Sequence, residues 1–143
     1  MVSRVARLIA NIAKSHNCVS LIEQDGSLIQ SLVHQGRPNQ NVKTQQACLR
    51  ALRNLCSTKP SAKLAAECDT FPDLLLNLKS PELDIVFACT TLVCELLKTQ
   101  CIEVGFRLVE DGVLKTLMEL GKYSTAFCSP FTIFVTLLDH YMR

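Results

Sequence analysis

Apolar residues recur along this chain with helical spacing, and nowhere with the strict alternation of a strand. Ala47, Cys48, Ala51, Leu52, Leu55 and Cys56 fall at i, i+1, i+4, i+5, i+8 and i+9, the broad stripe of a buried helix. The opposite face carries Gln46, Arg50, Arg53, Asn54 and Ser57. The same pattern predicts long helices over about Ser3–Lys14 and about Ser129–Tyr141, and a third through Leu92–Leu97. Shorter apolar helices are expected at Ile29–Val33, Asp73–Leu78 and Lys115–Leu120. Breaker-rich segments separate them: Gly36-Arg37-Pro38-Asn39, Lys79-Ser80-Pro81 and Gly121-Lys122-Tyr123-Ser124.

The pattern repeats. Leu8-Ile9-Ala10-Asn11-Ile12-Ala13 matches Leu52-Arg53-Asn54-Leu55-Cys56, then Leu92-Val93-Cys94-Glu95-Leu96-Leu97, then Ile133-Phe134-Val135-Thr136-Leu137-Leu138. Asn11, Asn54, Glu95 and Thr136 share one slot, at intervals of 43, 41 and 41 residues. Between them, Ile22-Glu23-Gln24-Asp25-Gly26-Ser27-Leu28, Ala66-Glu67-Cys68-Asp69-Thr70-Phe71-Pro72 and Val109-Glu110-Asp111-Gly112-Val113-Leu114 correspond. A repeat of this length is the mark of stacked helical units.

These residues resemble the armadillo repeat, a three-helix unit of about forty residues. Val109-Glu110-Asp111-Gly112-Val113-Leu114 and Ala51-Leu52-Arg53-Asn54-Leu55-Cys56 carry the likeness; HEAT repeats are the near neighbour. The resemblance implies an all-α, right-handed α-α superhelix of two whole repeats with partial ones at each end. The expected division is 3–35 (partial repeat and connecting helices), 43–79, 82–121 and a terminal helix at 129–143. It forms one segment, read as part of a longer array. Uncovered apolar stripes are expected at the ends, Leu8/Ile12 and Ile133/Phe134/Leu137, so a homodimer through the terminal helices is one alternative role.

In armadillo proteins the long third helices line a concave groove, and Asn side chains there satisfy the backbone of an extended peptide. The resemblance thus places Arg7, Asn11, Gln46, Arg50, Arg53, Asn54, Thr91 and Glu95 in a peptide-binding groove. Asn11 and Asn54 fit the ladder, whereas Glu95 and Thr136 depart from it. The same register exposes Ser3 and Lys14 on the first helix, Phe87 and Lys98 on the third, and Cys128, Thr132 and Asp139 on the last.

Charge narrows the choice of partner. The net charge is +2, but residues 1–70 hold nine Lys/Arg against four Asp/Glu, and residues 71–143 six against nine. Arg7 and Arg50 occupy the slot in which nuclear-import receptors of the family carry Trp, and this chain has no Trp. Arginines there would repel a basic import signal. Catenin-like grooves, which hold acidic extended peptides, are the better parallel. The expected function is therefore a non-enzymatic scaffold or adaptor that binds an acidic or phosphorylated segment of a partner protein. Among proteins with armadillo arrays, the chain resembles the Inscuteable-type cell-polarity adaptors. That likeness implies partners in polarity complexes and a role in spindle orientation, with a cytoplasmic location that includes the cell cortex or the nucleus.

Other chemistries find less support. Cys18 with His16, or His140 with Asp139, are sequence neighbours that do not face each other on a helix. The five glycines never form a phosphate-binding loop. An RNA-binding repeat module is the second alternative; its readers keep polar and stacking residues in every unit, whereas this groove changes from Arg to Thr. The eight cysteines include no Cys-x-x-Cys pair, so neither a metal nor a cofactor is expected, and buried free thiols are favoured over disulfides. Cys101, at a predicted helix start, is the one candidate for a lowered thiol pKa. The longest apolar run, Phe131–Leu138, is too short to span a membrane, and the first seven residues lack the apolar stretch of an export signal.

Overall fold

Ala6 and Ala10 give the first helix a narrow buried face, and it packs against the next long helix. The computed structural model describes residues 2–15, 26–38, 41–68 and 70–123, and in it the chain is all-helical. The described residues form α1 (Val2–Ile12), α2 (Ser27–Gln35), α3 (Val42–Leu55), α4 (Lys59–Glu67), α5 (Thr70–Leu78), α6 (Leu83–Lys98), α7 (Ile102–Glu110) and α8 (Val113–Tyr123). No strand occurs among them.

Local chemistry sets the helix starts. The Asn41 side-chain oxygen accepts from the Lys43 N–H at 2.9 Å and caps α3. The Thr58 hydroxyl accepts from the Ser61 N–H at 3.4 Å and caps α4, with Pro60 in the first turn, where its missing N–H costs nothing. Between α7 and α8, Gly112 turns the chain with φ 75°, a left-handed conformation that glycine adopts without strain.

A long helix followed by two shorter ones recurs as α3–α4–α5 and α6–α7–α8. The long helices α1, α3 and α6 pack in succession, α4 lies beside α7, and α5 beside α8. One continuous core runs through all of them, with Leu49, Leu52, Leu55, Phe71, Leu74, Ile85, Leu92 and Leu96 among its fully buried side chains.

Side-chain amides tie elements about forty residues apart. Asn54 Nδ2 donates to the Ala10 carbonyl at 2.7 Å, joining α3 to α1. Asn77 Nδ2, buried, donates to the Gly36 carbonyl at 3.3 Å. Gln45 Nε2 donates to the Arg37 carbonyl at 3.0 Å, and Arg37 pairs with Asp73 at 3.0 Å. The loop after α2 is thus held from both α3 and α5. It also lies close to α3: a methyl group added at Gly36 would come within 3.3 Å of Cys48 Cβ.

The helices depart from the sequence expectation in three respects. The helices expected at 29–33, 73–78 and 115–120 begin earlier, at Ser27, Thr70 and Val113, and Pro72 fits within the first turn of its helix. The segment Gly121-Lys122-Tyr123 is no loop, since α8 continues through Tyr123. Helix α3 buries Gln45 and Leu49 beyond its expected stripe, because neighbours flank it on two sides. The helix expected at 129–143, with Ile133, Phe134, Thr136 and Leu137, lies outside the described residues, as do Cys18, Cys128, His16 and His140.

Candidate functional site

Where α1 and α3 lie side by side, small residues form the floor and long polar ones the walls. Ala10 and Ala47 let the two backbones approach. Arg7 and Asn11 rise from α1, one helical turn apart, Lys14 from the turn that follows it, and Arg50, Arg53 and Asn54 from α3. They enclose a depression of about 340 Å³. A second, of about 230 Å³, shares Lys14, Arg53 and Asn54 and adds Ala13, Ser57 and Glu95, so the surface continues from α3 towards α6.

Six of the eight residues expected in the groove line these two depressions: Arg7, Asn11, Arg50, Arg53, Asn54 and Glu95. Gln46 and Thr91 do not. Gln46 is half-buried one turn before Arg50. Thr91 is also half-buried, and its hydroxyl donates to the Ala88 carbonyl of its own helix at 2.9 Å. The site further includes Lys14 and Ser57, both already on the exposed face that the repeat register defines. Ala10 and Ala47 were missed, and their signal is size: two alanines at facing positions allow close helix contact.

The first depression holds four cations, Arg7, Lys14, Arg50 and Arg53, and no carboxylate. All four are exposed, and none makes an ion pair with another described residue. Like charges so arranged create a positive potential that an anionic ligand relieves. Towards α6 the potential falls, because Glu95 enters the wall, held at 2.8 Å by Lys98. The two ladder residues are not equivalent. Asn54 has already committed a donor to Ala10, which leaves its carbonyl oxygen as the free acceptor. Asn11 is exposed on α1 with no such tie.

The thiols take no part in this surface. Cys48, Cys56, Cys89, Cys94 and Cys101 are buried, Cys68 is half-buried, and none of the six forms a disulfide. Burial pushes Cys48 and Cys94 up to about 11 and Cys56 up to about 12, and it raises Cys89 further. Cys101 corrects an expectation. It does sit at the N-cap of α7, but burial raises its pKa, which outweighs the backbone N–H of Val104 that lowers it. Its Sγ–H donates to the Glu103 carboxylate at 3.2 Å instead. Cys101 also borders a third depression, of about 420 Å³, with Lys59, Lys63 and Ile102 between the starts of α4 and α7. Among the described residues, no three His, Cys, Asp or Glu side chains gather as a metal site would require. No described helix is long and apolar enough to cross a membrane.

Fold and surface together define the class: an all-helical protein with a basic groove between successive long helices. No family model and no curated protein matches the chain. The crystal structure of an engineered protein from the Northeast Structural Genomics Consortium is similar to it, with a TM-score of 0.84 at 17% identity. The match covers 97% of this chain and 56% of that one, so this chain spans just over half the length of that engineered chain. At that identity the likeness is one of fold.

Proposed function

We propose that this chain is an armadillo-like helical-repeat scaffold, without catalytic activity, that binds an extended acidic or phosphorylated segment of a partner protein. The segment lies across α1, α3 and α6. The observation that carries this reading is the first depression, with its four cations and no carboxylate. The 43- and 41-residue recurrence of Asn11, Asn54 and Glu95 supports it, because it gives an extended ligand one polar contact per unit.

Arginine suits both ligand types, since its fork pairs bidentately with carboxylate and phosphate. Each charge-assisted hydrogen bond contributes roughly 1.5–3 kcal/mol, and micromolar affinity requires about 8 kcal/mol. Three arginines therefore supply much of that affinity, reduced by solvent screening at exposed positions. The Inscuteable-type resemblance directs the proposal towards cytoplasmic polarity complexes at the cell cortex.

The test is a lysate pull-down at moderate and high salt, comparing wild type with Arg50→Glu/Arg53→Glu. A discrete protein captured by wild type alone, and lost at high salt, is the expected result. Capture of the same set by both forms refutes the groove as the binding surface.

A further inference from the structure

Helix α7 presents three large apolar side chains to solvent. Ile102, Phe106 and Val109 recur at i, i+4 and i+7, and each is about two-thirds exposed. The open edge of a helical stack accounts for Val109, whose counterpart Ala66 is buried, but not for Ile102 and Phe106. Helix α4 occupies the equivalent place one unit earlier, with α7 seated beside it. In register, its Lys59 and Lys63 stand where α7 has Ile102 and Phe106, and both lysines stay exposed although α7 is in place. A further helix stacked on α7 in the same way would leave Ile102 and Phe106 open.

A second uncovered stripe lies on α1, where Val2, Val5, Leu8 and Ile12 are 43 to 59% exposed. The two stripes differ in charge. Arg4 and Arg7 flank the α1 stripe, on a helix that has no acidic residue. Glu103 and Glu110 flank the α7 stripe, both exposed, while Arg107 there is paired with Asp111 at 3.5 Å. Lys63 acts on Glu103 and offsets part of its charge.

We propose that α1 of one molecule docks on the Ile102/Phe106/Val109 face of a second copy. Two α1 faces would oppose arginines, whereas an α1–α7 contact brings Arg4 and Arg7 to Glu103 and Glu110; Lys59 and Lys63 border only the Ile102 end of the α7 face. Unlike faces form a head-to-tail contact, which extends as an open chain unless its rotation closes a ring. The proposal is independent of the peptide groove, although Arg7 borders both surfaces.

Sedimentation velocity across micromolar concentrations tests it. Wild type should grow in mass with concentration. Leu8→Glu and Phe106→Glu should each weaken association by about tenfold or more, as expected on losing a central apolar anchor. Their melting temperatures should stay near that of wild type, because both positions are exposed; Phe106→Ser serves if the charge perturbs folding. The decisive sample is the mixture. Leu8→Glu retains a sound α7 face and Phe106→Glu a sound α1 face, so together they should form a one-to-one dimer and nothing larger. A wild type that stays monomeric throughout overturns the proposal. So does a mixture that remains monomeric, or a Phe106→Glu variant that associates like wild type.

Discussion

Gln100 holds φ at 56°, in the left-handed region, just after the last turn of α6. Glycine is the usual residue at such a place, and a residue with a Cβ costs about 1 kcal/mol more there. Gln100→Gly should therefore raise the melting temperature by a few degrees without altering the groove, as a thermal scan would show. The buried thiols make a second residue-scale prediction. Cys56 ionises near pH 9 when exposed but only near 12 in the fold. Its raised pKa leaves stability intact below pH 9 and erodes it above, as the unfolded chain loses the proton first. The loss approaches about 1.4 kcal/mol per pH unit for this group. Urea midpoints on either side of pH 9 should show the fall. The burial of Cys56 was legible in its stripe, but the Gln100 conformation and the raised pKa of Cys101 were not. Nothing in Thr99-Gln100-Cys101 announces a left-handed residue, and a helix-start cysteine reads as activated until its burial is known.

At the scale of elements, period and spacing in the sequence carried most of the information. The stripe Ala47 to Cys56 predicted a buried long helix, and all six of its members are buried, five in α3 and Cys56 at its C-cap. Leu52→Asp places an unpaired charge in that core and should unfold the domain, with loss of the cooperative thermal transition in circular dichroism. Arg50→Glu on the same helix should leave helical content unchanged. Helix starts were less legible, because Gly, Asp and Pro mark a turn without saying on which side the helix begins. Pro72 belongs to α5 and Gly121 to α8, although both residue types usually punctuate. The burial of Gln45 was also hidden, since its partner is the Arg37 carbonyl, eight residues away in a loop.

Across the whole molecule, the groove was legible only through the repeat. Arg7 and Arg50 are 43 residues apart, and nothing local relates them; the common register did so, and they line one depression. The register could not show which groove residues are already engaged, such as Thr91 with Ala88, nor that α7 carries an uncovered apolar face. Both depend on neighbours that a single helix does not reveal. Partner capture by the groove should fall steeply as salt rises, since exposed cations are screened within about 8 Å at physiological ionic strength. Titration of salt against a fluorescent acidic peptide would measure it, and a flat response would remove electrostatics from the recognition.

The hydrogen bond from Asn54 to the Ala10 carbonyl has a thermodynamic corollary. One amide serves both the seam between α1 and α3 and the wall of the groove, so occupancy and cohesion are linked variables. A ligand that accepts the Asn54 geometry as it stands binds only while that seam is closed. By mass action it slows opening there more than elsewhere. Hydrogen exchange should therefore report a bound peptide first as protection across the α1–α3 seam, ahead of any change in α7 or α8.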